Sequence, residues 1–204
     1  MHTLTKKIFT ILSLGLFSLD LTSFGQSSYK NEQFKNVILI LSDDHRFDFL
    51  GFREDSPNFL ETPNFDRMSN EGAHMKNAFV TTSLCSPSRA TILTGQYMHQ
   101  HKVVDNQRAV PDGTRFFPEY LQEAGILTAY IGKWHMGHDN DNPRKGFDHW
   151  ASFKGQGVYF NPEFNINGNK KKFDGYNADI TTDLALNFLK KNGGKRFYLQ
   201  VGYK

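Results

Sequence analysis

The chain has 204 residues, of which 38% are hydrophobic, so it carries enough apolar material for one compact core. An aromatic content of 14% excludes a disordered polymer. A formal net charge of only +3 excludes the strongly basic surface of a nucleic-acid-binding protein.

Residues 1–25 have the pattern of an export signal. Two lysines precede the apolar stretch 8–19, and small residues follow it up to Gly25. The apolar stretch is shorter than the roughly 20 residues needed to span a bilayer, so a retained membrane anchor is the less favoured alternative. We predict a protein that is exported, periplasmic or secreted, and that begins near Gln26.

The first half of the remaining chain alternates between strand and helix patterns. The continuous apolar run 36–44 predicts a central strand that is covered on both faces. Thr62 as cap, a proline after it and Gly72 as terminator predict a helix over 62–73. Residues 74–81 are predicted to form the next strand, and the segment 86–95 a helix that ends at a glycine.

The second half continues the alternation. A helix is predicted over 115–125, a strand over 126–135, long loops over 140–177, an amphipathic helix over 178–194 and a final strand over 196–203. Strands that alternate with helices predict an α/β fold with a largely parallel sheet. The sequence stops at Lys204, directly after an apparent core strand, so we expect residues 26–204 to be part of a larger domain.

Polar residues follow the predicted strands where ligands collect in open α/β sheets. Asp43 and Asp44 end the first strand, and two carboxylates that converge in a loop suit a hard cation, Ca²⁺ or Mg²⁺. Lys133 and His135 end another strand, and this pair suits anion binding with proton transfer. Simple capping of a helix or a strand end is the alternative for both pairs.

Cys85 is the single cysteine of the chain, so an internal disulfide is excluded. A small buried hydrophobe is one interpretation, and an intermolecular bridge or a reactive or modified thiol is the other. Cys85 precedes a predicted helix, whose free N–H groups favour an anion, and Arg89 lies one helical turn later. These neighbours favour the reactive or modified thiol.

Three motifs together resemble the type I sulfatases. "CSPSRATILTG" resembles their Cys-x-Pro-x-Arg signature, "VILILSDD" their first metal-binding strand, and "GKWHMG" their Lys-x-His element. The motifs occur in the family's order, and the resemblance covers essentially the whole chain after residue 25. It implies an alkaline-phosphatase-like α/β sandwich, of which residues 26–204 would be the N-terminal portion, with the C-terminal part missing.

The resemblance also implies a chemistry. Cys85 would be oxidised to Cα-formylglycine by a formylglycine-generating enzyme or an anaerobic sulfatase-maturating enzyme. One hydroxyl of the hydrated aldehyde would attack sulfur, and deprotonation of the other would release sulfate and restore the aldehyde. The implied metal ligands, for Ca²⁺ or alternatively Mg²⁺, are Asp43, Asp44 and Cys85. The implied catalytic residues are Cys85, Arg89, which steadies the diol, Lys133, which binds sulfate, and His135, the base for release.

The substrate implied by the resemblance is a sulfated glycan. Segments 99–106 and 146–169 are most similar to N-acetylglucosamine-6-sulfatases, and His99, His101 and Trp150 are candidates to line a sugar pocket, with core packing or a solvated loop as the alternative. Other sulfated polysaccharides stay open. A phosphonate monoester hydrolase or phosphodiesterase of the same superfamily, and a non-catalytic glycan-binding remnant with a free thiol, are the alternative functions.

Family members continue past residue 203 with a Pro-His element, an Asp with Asn or His, and another Lys. None of these can be placed in this sequence, so we expect these residues alone to be inactive.

Overall fold

The structure is a computed structural model that describes residues 36–137 and 139–204. Its elements, in chain order, are β1 (Asn36–Leu41), α1 (Pro63–Glu71), α2 (Cys85–Thr94), α3 (Met98–His101), α4 (Phe117–Glu123), β2 (Leu127–Lys133), β3 (His149–Phe153), β4 (Glu163–Ile166), β5 (Asn169–Lys172), α5 (Asn177–Asn192) and β6 (Phe197–Gly202).

The six strands of the described residues form one sheet in the order β1-β6-β2-β3-β4-β5. The first four strands in this order are parallel, and β4 and β5 extend the sheet as an antiparallel hairpin. The predicted α/β class with a largely parallel sheet is therefore confirmed. The prediction that the strand at 36–44 is central and covered on both faces is wrong, because β1 lies at the edge of the described sheet and is largely exposed.

Two apolar clusters cover the two faces of the sheet. Alternate residues of the central strands face opposite sides, so Ile131 and Leu199 pack in one cluster with Phe188 of α5. Tyr130 packs in the other cluster with Leu93 of α2. Burial on both faces explains why β2 and β6 are almost continuously apolar in sequence.

The prediction of long loops over 140–177 is wrong in part, because β3, β4 and β5 lie in this stretch. Asn167 and Gly168 join β4 to β5, and both have positive φ angles, 50° and 93°. Asn-Gly is the preferred sequence of a two-residue type I′ hairpin turn. This signal was present in the sequence, but it was hidden among other glycines and asparagines.

The strand predicted over 74–81 is absent from the described structure. Phe79 is 88% exposed, and Met75 and Val80 are also exposed, so no apolar face is buried there. A run of β-formers without a neighbouring strand does not form a ladder. The helix predicted over 62–73 is present as α1, but the Thr62 hydroxyl bonds Asp66 and the Gly51 N–H and does not cap the helix.

The export signal predicted for residues 1–25 lies outside the described residues. Within 36–137 and 139–204, no helix has the length and apolar character that a membrane crossing requires.

Candidate active site

Cys85 is the first residue of α2. Leu84 precedes it with extended backbone, and Gly95 ends the helix with a left-handed φ of 67°. The helix therefore begins one residue earlier than the sequence predicted. This start places the Cys85 side chain at the positive end of the helix dipole.

The carboxylates of Asp43 and Asp44 converge on Cys85. One ligand atom from each of the three residues lies within 4.8 Å of the others. Asp44 has a left-handed φ of 51°, and this turn directly after β1 allows two adjacent side chains to point to the same place. A cavity of about 300 Å³ is lined by all three residues and by Ser88 and Arg89.

Two buried cationic side chains, Arg89 and Lys133, contact this cluster. The Lys133 ammonium donates to Asp43 and lies 3.8 Å from Cys85 Sγ. Arg89 Nη2 donates to Asp43 Oδ1 at 3.3 Å, and Arg89 Nη1 donates to the Lys133 carbonyl at 2.6 Å. The side chains of Arg89 and Lys133 are only 2% and 1% exposed, so both are fixed before any ligand arrives.

The charges shift the acidities of this cluster in opposite directions. Burial opposes ionisation of Asp43, but the hydrogen bonds and charges of Lys133 and Arg89 outweigh it and hold the pKa of Asp43 below its ordinary value. Burial raises the pKa of the Cys85 thiol, and the carboxylates of Asp43 and Asp44 add to this effect against the opposing charge of Lys133. Both effects disfavour the thiolate form of Cys85.

The donor set fits a hard divalent cation. Asp43 and Asp44 supply carboxylate oxygens, which Ca²⁺ and Mg²⁺ prefer. Cys85 Sγ is a soft ligand that such an ion does not favour, but an oxygen at the same position would complete a hard donor set.

Sequence reasoning missed two residues that shape this site. The hydroxyl of buried Tyr130 donates to the Lys133 carbonyl, next to the bond from Arg89. A Cβ on Gly202 would lie 3.0 Å from Arg89 Nη1 and 2.8 Å from the Lys133 carbonyl oxygen. Gly202 thus leaves the space that the guanidinium fills, and the only local signal was a glycine at the end of an apolar strand.

His135 lies outside the strand that was predicted to carry it. β2 ends at Lys133, and His135 lies beyond it with a left-handed φ of 52°. Strand alternation therefore does not set its direction. Its carbonyl accepts the hydroxyl of buried Ser86, which joins the Lys-x-His element to the residue after Cys85.

The three candidate sugar contacts lie in different environments. Trp150 is fully buried in the core, and its indole N–H donates to the Asp141 carbonyl at 2.9 Å. His101 is 2% exposed and bonds the Thr91 hydroxyl and the Val103 N–H. These contacts match the core-packing alternative for Trp150 and His101, whereas His99 is exposed and stacks on Tyr97.

Comparison with known proteins shows which family the chain resembles. The Sulfatase family model matches residues 35–204. An N-acetylglucosamine-6-O-sulfatase of Bacteroides thetaiotaomicron is 38% identical over 181 residues, covering 87% of this chain and 31% of that protein. An extracellular sulfatase SULF-1 homolog of Drosophila melanogaster is 33% identical over 170 residues, covering 79% of this chain and 15% of that protein. The chain thus spans about a third or less of these relatives.

Solved structures show the same fold. A protein solved in complex with its substrate D-glucosamine-2-N,6-O-disulfate superposes with a TM-score of 0.75 and 37% identity, covering 83% of this chain and 34% of that one. The six-stranded sheet corresponds to part of the alkaline-phosphatase-like sandwich of such enzymes. The family model spans all of the described residues, so the chain belongs to the sulfatase family.

Proposed function

We propose that this chain carries the nucleophile end of a sulfuric ester hydrolase in which residue 85 works as formylglycine with a divalent metal ion. The observation that carries the proposal is the convergence of Cys85 with Asp43, Asp44 and the two buried cations Arg89 and Lys133. Asp43, Asp44, Cys85 and Arg89 line one cavity, and Lys133 lies 3.8 Å from Cys85 Sγ, which supports a shared role for these five residues.

The state of the thiol supports conversion over direct use of sulfur. A cysteine nucleophile works as a thiolate, and catalytic cysteines have a lowered pKa. The pKa of Cys85 is raised, because the side chain is half-buried and lies beside two carboxylates. The hydrated aldehyde of formylglycine would supply an oxygen nucleophile and a route for releasing sulfate, neither of which a thiol offers.

The chain's own residues would divide the work as follows. Lys133 and Arg89 hold fixed positive charge against the negative charge that develops on the sulfate oxygens. Asp43 and Asp44 would hold Ca²⁺, with Mg²⁺ as the alternative, and the ion would supply Lewis-acid stabilisation of the same charge. His135 would accept the proton whose removal releases sulfate.

The proposed substrate is a glycan with a 6-O-sulfated amino sugar. The support comes from the name of the Bacteroides relative, an N-acetylglucosamine-6-O-sulfatase, and from the disulfated glucosamine bound in the similar solved structure. The exposed His99 is the candidate that could contact such a sugar from this chain. His101 and Trp150 would act indirectly, by packing beneath the surface.

Two further parts of the proposal concern the protein's surroundings. The pattern of residues 1–25 supports export to the periplasm or the exterior, and the described name of the Drosophila relative is that of an extracellular sulfatase. Conversion of Cys85 requires a partner, a formylglycine-generating or anaerobic maturating enzyme, that reads the Cys-Ser-Pro-Ser-Arg segment.

The test is a comparison of rates on three esters. The full-length protein is produced with a maturating enzyme and assayed on 6-O-sulfated N-acetylglucosamine, an aryl sulfate and an aryl phosphate diester. The proposal expects hydrolysis of both sulfate esters and the higher kcat/KM on the sugar. Preference for the phosphate diester would assign a phosphodiesterase instead, and binding of the sulfated sugar without hydrolysis would indicate a non-catalytic protein.

A further inference from the structure

Helix α2 receives its N-terminal cap from a distant segment. Leu84 at the N-cap position has no side chain that can accept a hydrogen bond. The side-chain oxygen Oδ1 of Asn106 instead accepts the Ser86 N–H at 3.0 Å, from 20 residues further along the chain. The residue that follows Cys85 is therefore held by a loop outside the helix.

The loop that carries Asn106 is itself fixed on both sides. Val103 is fully buried, and its N–H donates to His101 Nδ1 at 3.1 Å. Asp105 accepts the N–H groups of Gln107 and Arg108 at 2.9 and 2.8 Å. Because these bonds fix the backbone around Asn106, its amide oxygen offers Ser86 an acceptor at a defined place.

Ser86 also bonds the turn that follows β2. Its hydroxyl is fully buried and donates to the carbonyl of His135, which lies in a left-handed backbone conformation that a non-glycine residue adopts at a cost. Ser86 thus joins three segments: the start of α2, the loop at Asn106 and the turn after β2.

We infer that Asn106 and Ser86 are positioning residues that set the placement of residue 85 relative to His135. The inference rests on the proposed function, in which residue 85 carries the nucleophile and His135 accepts a proton from it. Misplacement of reacting groups by about 1 Å can cost about 10²-fold in rate, so this clasp of Ser86 and Asn106 matters for turnover more than for substrate binding.

The test compares two near-isosteric replacements of Asn106. Asn106→Leu removes the acceptor, and we expect about a tenfold loss of kcat with KM within about twofold of the original value. Asn106→Asp keeps an acceptor oxygen for the helix start, and it should keep kcat within about threefold. Gln107→Leu places the same apolar side chain on the adjacent exposed position as the matched control. An unchanged kcat in Asn106→Leu, or a loss confined to KM, would overturn the inference.

A double variant tests whether the two residues act together. Ser86→Ala removes the bond to His135 and keeps the N–H that Asn106 accepts. If both residues hold one geometry, Ser86→Ala with Asn106→Leu loses less than the product of the two single effects. A loss equal to the product would show that the two bonds act independently and would contradict a shared clasp.

A readout without turnover separates this inference from the proposed function. In unconverted protein labelled on histidine, Asn106→Leu and Ser86→Ala should shift the NMR signals of His135, while Gln107→Leu leaves them in place. If converted wild-type protein hydrolyses no sulfate ester, the proposed function fails, but these shifts still decide the positioning. Unmoved His135 signals in both variants would refute the clasp even in an active enzyme.

Discussion

The two sides of the candidate site differ in how the fold holds them. The cationic wall, Arg89 and Lys133, is almost completely buried, and Lys133 ends a central strand whose faces are both covered. The acidic rim, Asp43 and Asp44, follows β1, which lies at the edge of the sheet and is largely exposed. Asp44 is itself exposed.

Packing of the core therefore fixes the cationic wall more firmly than the acidic rim. The wall is fixed by the core and by hydrogen bonds to Tyr130 and the Lys133 carbonyl. The rim is held by one ladder of strand pairs and by the ion pairs of Asp43. Changes in the wall should therefore affect stability and activity together, while changes at Asp44 should affect metal binding with little loss of stability.

The largest effect is expected at the point where wall and rim meet. Cys85→Ala removes the side chain that conversion requires, and we expect a loss of about 10⁴-fold or more in kcat. The measurement is sulfate release by purified protein, with its fold checked by circular dichroism. A well-folded variant that kept about a tenth of the original rate would place the nucleophile elsewhere.

The next effect tests the wall. Arg89→Lys keeps the charge but cannot bridge Asp43 and the Lys133 carbonyl at once, so we expect about 10²-fold lower kcat/KM and a loss of about 2–4 kcal/mol in the free energy of unfolding. Urea unfolding and steady-state kinetics measure the two effects.

The matched control for this change is Arg46→Lys. Arg46 is largely exposed and pairs with Asp48 on the surface, so its replacement should change stability by less than about 0.5 kcal/mol. If both variants behaved alike, burial of the wall would not explain its contribution.

The third effect separates the two carboxylates of the rim. With chelator present, Asp43→Asn leaves the buried Arg89 and Lys133 without the carboxylate that pairs with them. We therefore expect the free energy of unfolding to fall by about 3 kcal/mol at neutral pH. Asp44→Asn should lower the free energy of unfolding by less than about 0.5 kcal/mol, because the Asp44 side chain is exposed. Calorimetric titration should show weaker Ca²⁺ binding in both variants.

The pH dependence of this comparison follows from the lowered pKa of Asp43. A carboxyl with a lower pKa in the folded state stabilises the fold fully above its unfolded pKa of about 3.9. That stability is lost as pH falls through the lower folded pKa. The gap between wild type and Asp43→Asn should therefore be constant near neutrality and narrow below about pH 4; a gap that widened with acid would contradict the ion-pair account.

The smallest effect is expected at Gly202, whose lack of a side chain leaves room for the Arg89 guanidinium. Gly202→Ala places a methyl group 3.0 Å from Arg89 Nη1. We therefore expect the free energy of unfolding to fall by about 1–3 kcal/mol and kcat to fall a few-fold. Gly194→Ala is the control, because a Cβ there meets no atom within 4 Å. Equal stability of the two variants would show that the guanidinium does not need this space.

The sequence predicted those parts of the site that have local signals. Asp43 and Asp44 end an apolar run, and Cys85 precedes a proline and a glycine-terminated helix, so each could be placed from its own neighbours. Tyr130, Gly202 and Asn106 act through contacts between segments far apart in sequence, which no local pattern reports.

The errors in the fold have the same origin. Residues 74–81 have strand-forming side chains, but within residues 36–137 and 139–204 no strand pairs with them. The β4–β5 hairpin was missed for the opposite reason, because Asn167 and Gly168 were interpreted as part of a long loop although they form its turn. Local propensity alone does not determine whether a segment has a partner.

The most direct test of the central claim is the mass of the peptide that spans Cys85, measured on the same preparation as its sulfatase activity. Conversion to formylglycine replaces one sulfur by one oxygen and removes two hydrogens. We expect sulfate release to rise in proportion to the converted fraction. Full activity in protein whose Cys85 is entirely thiol would contradict it.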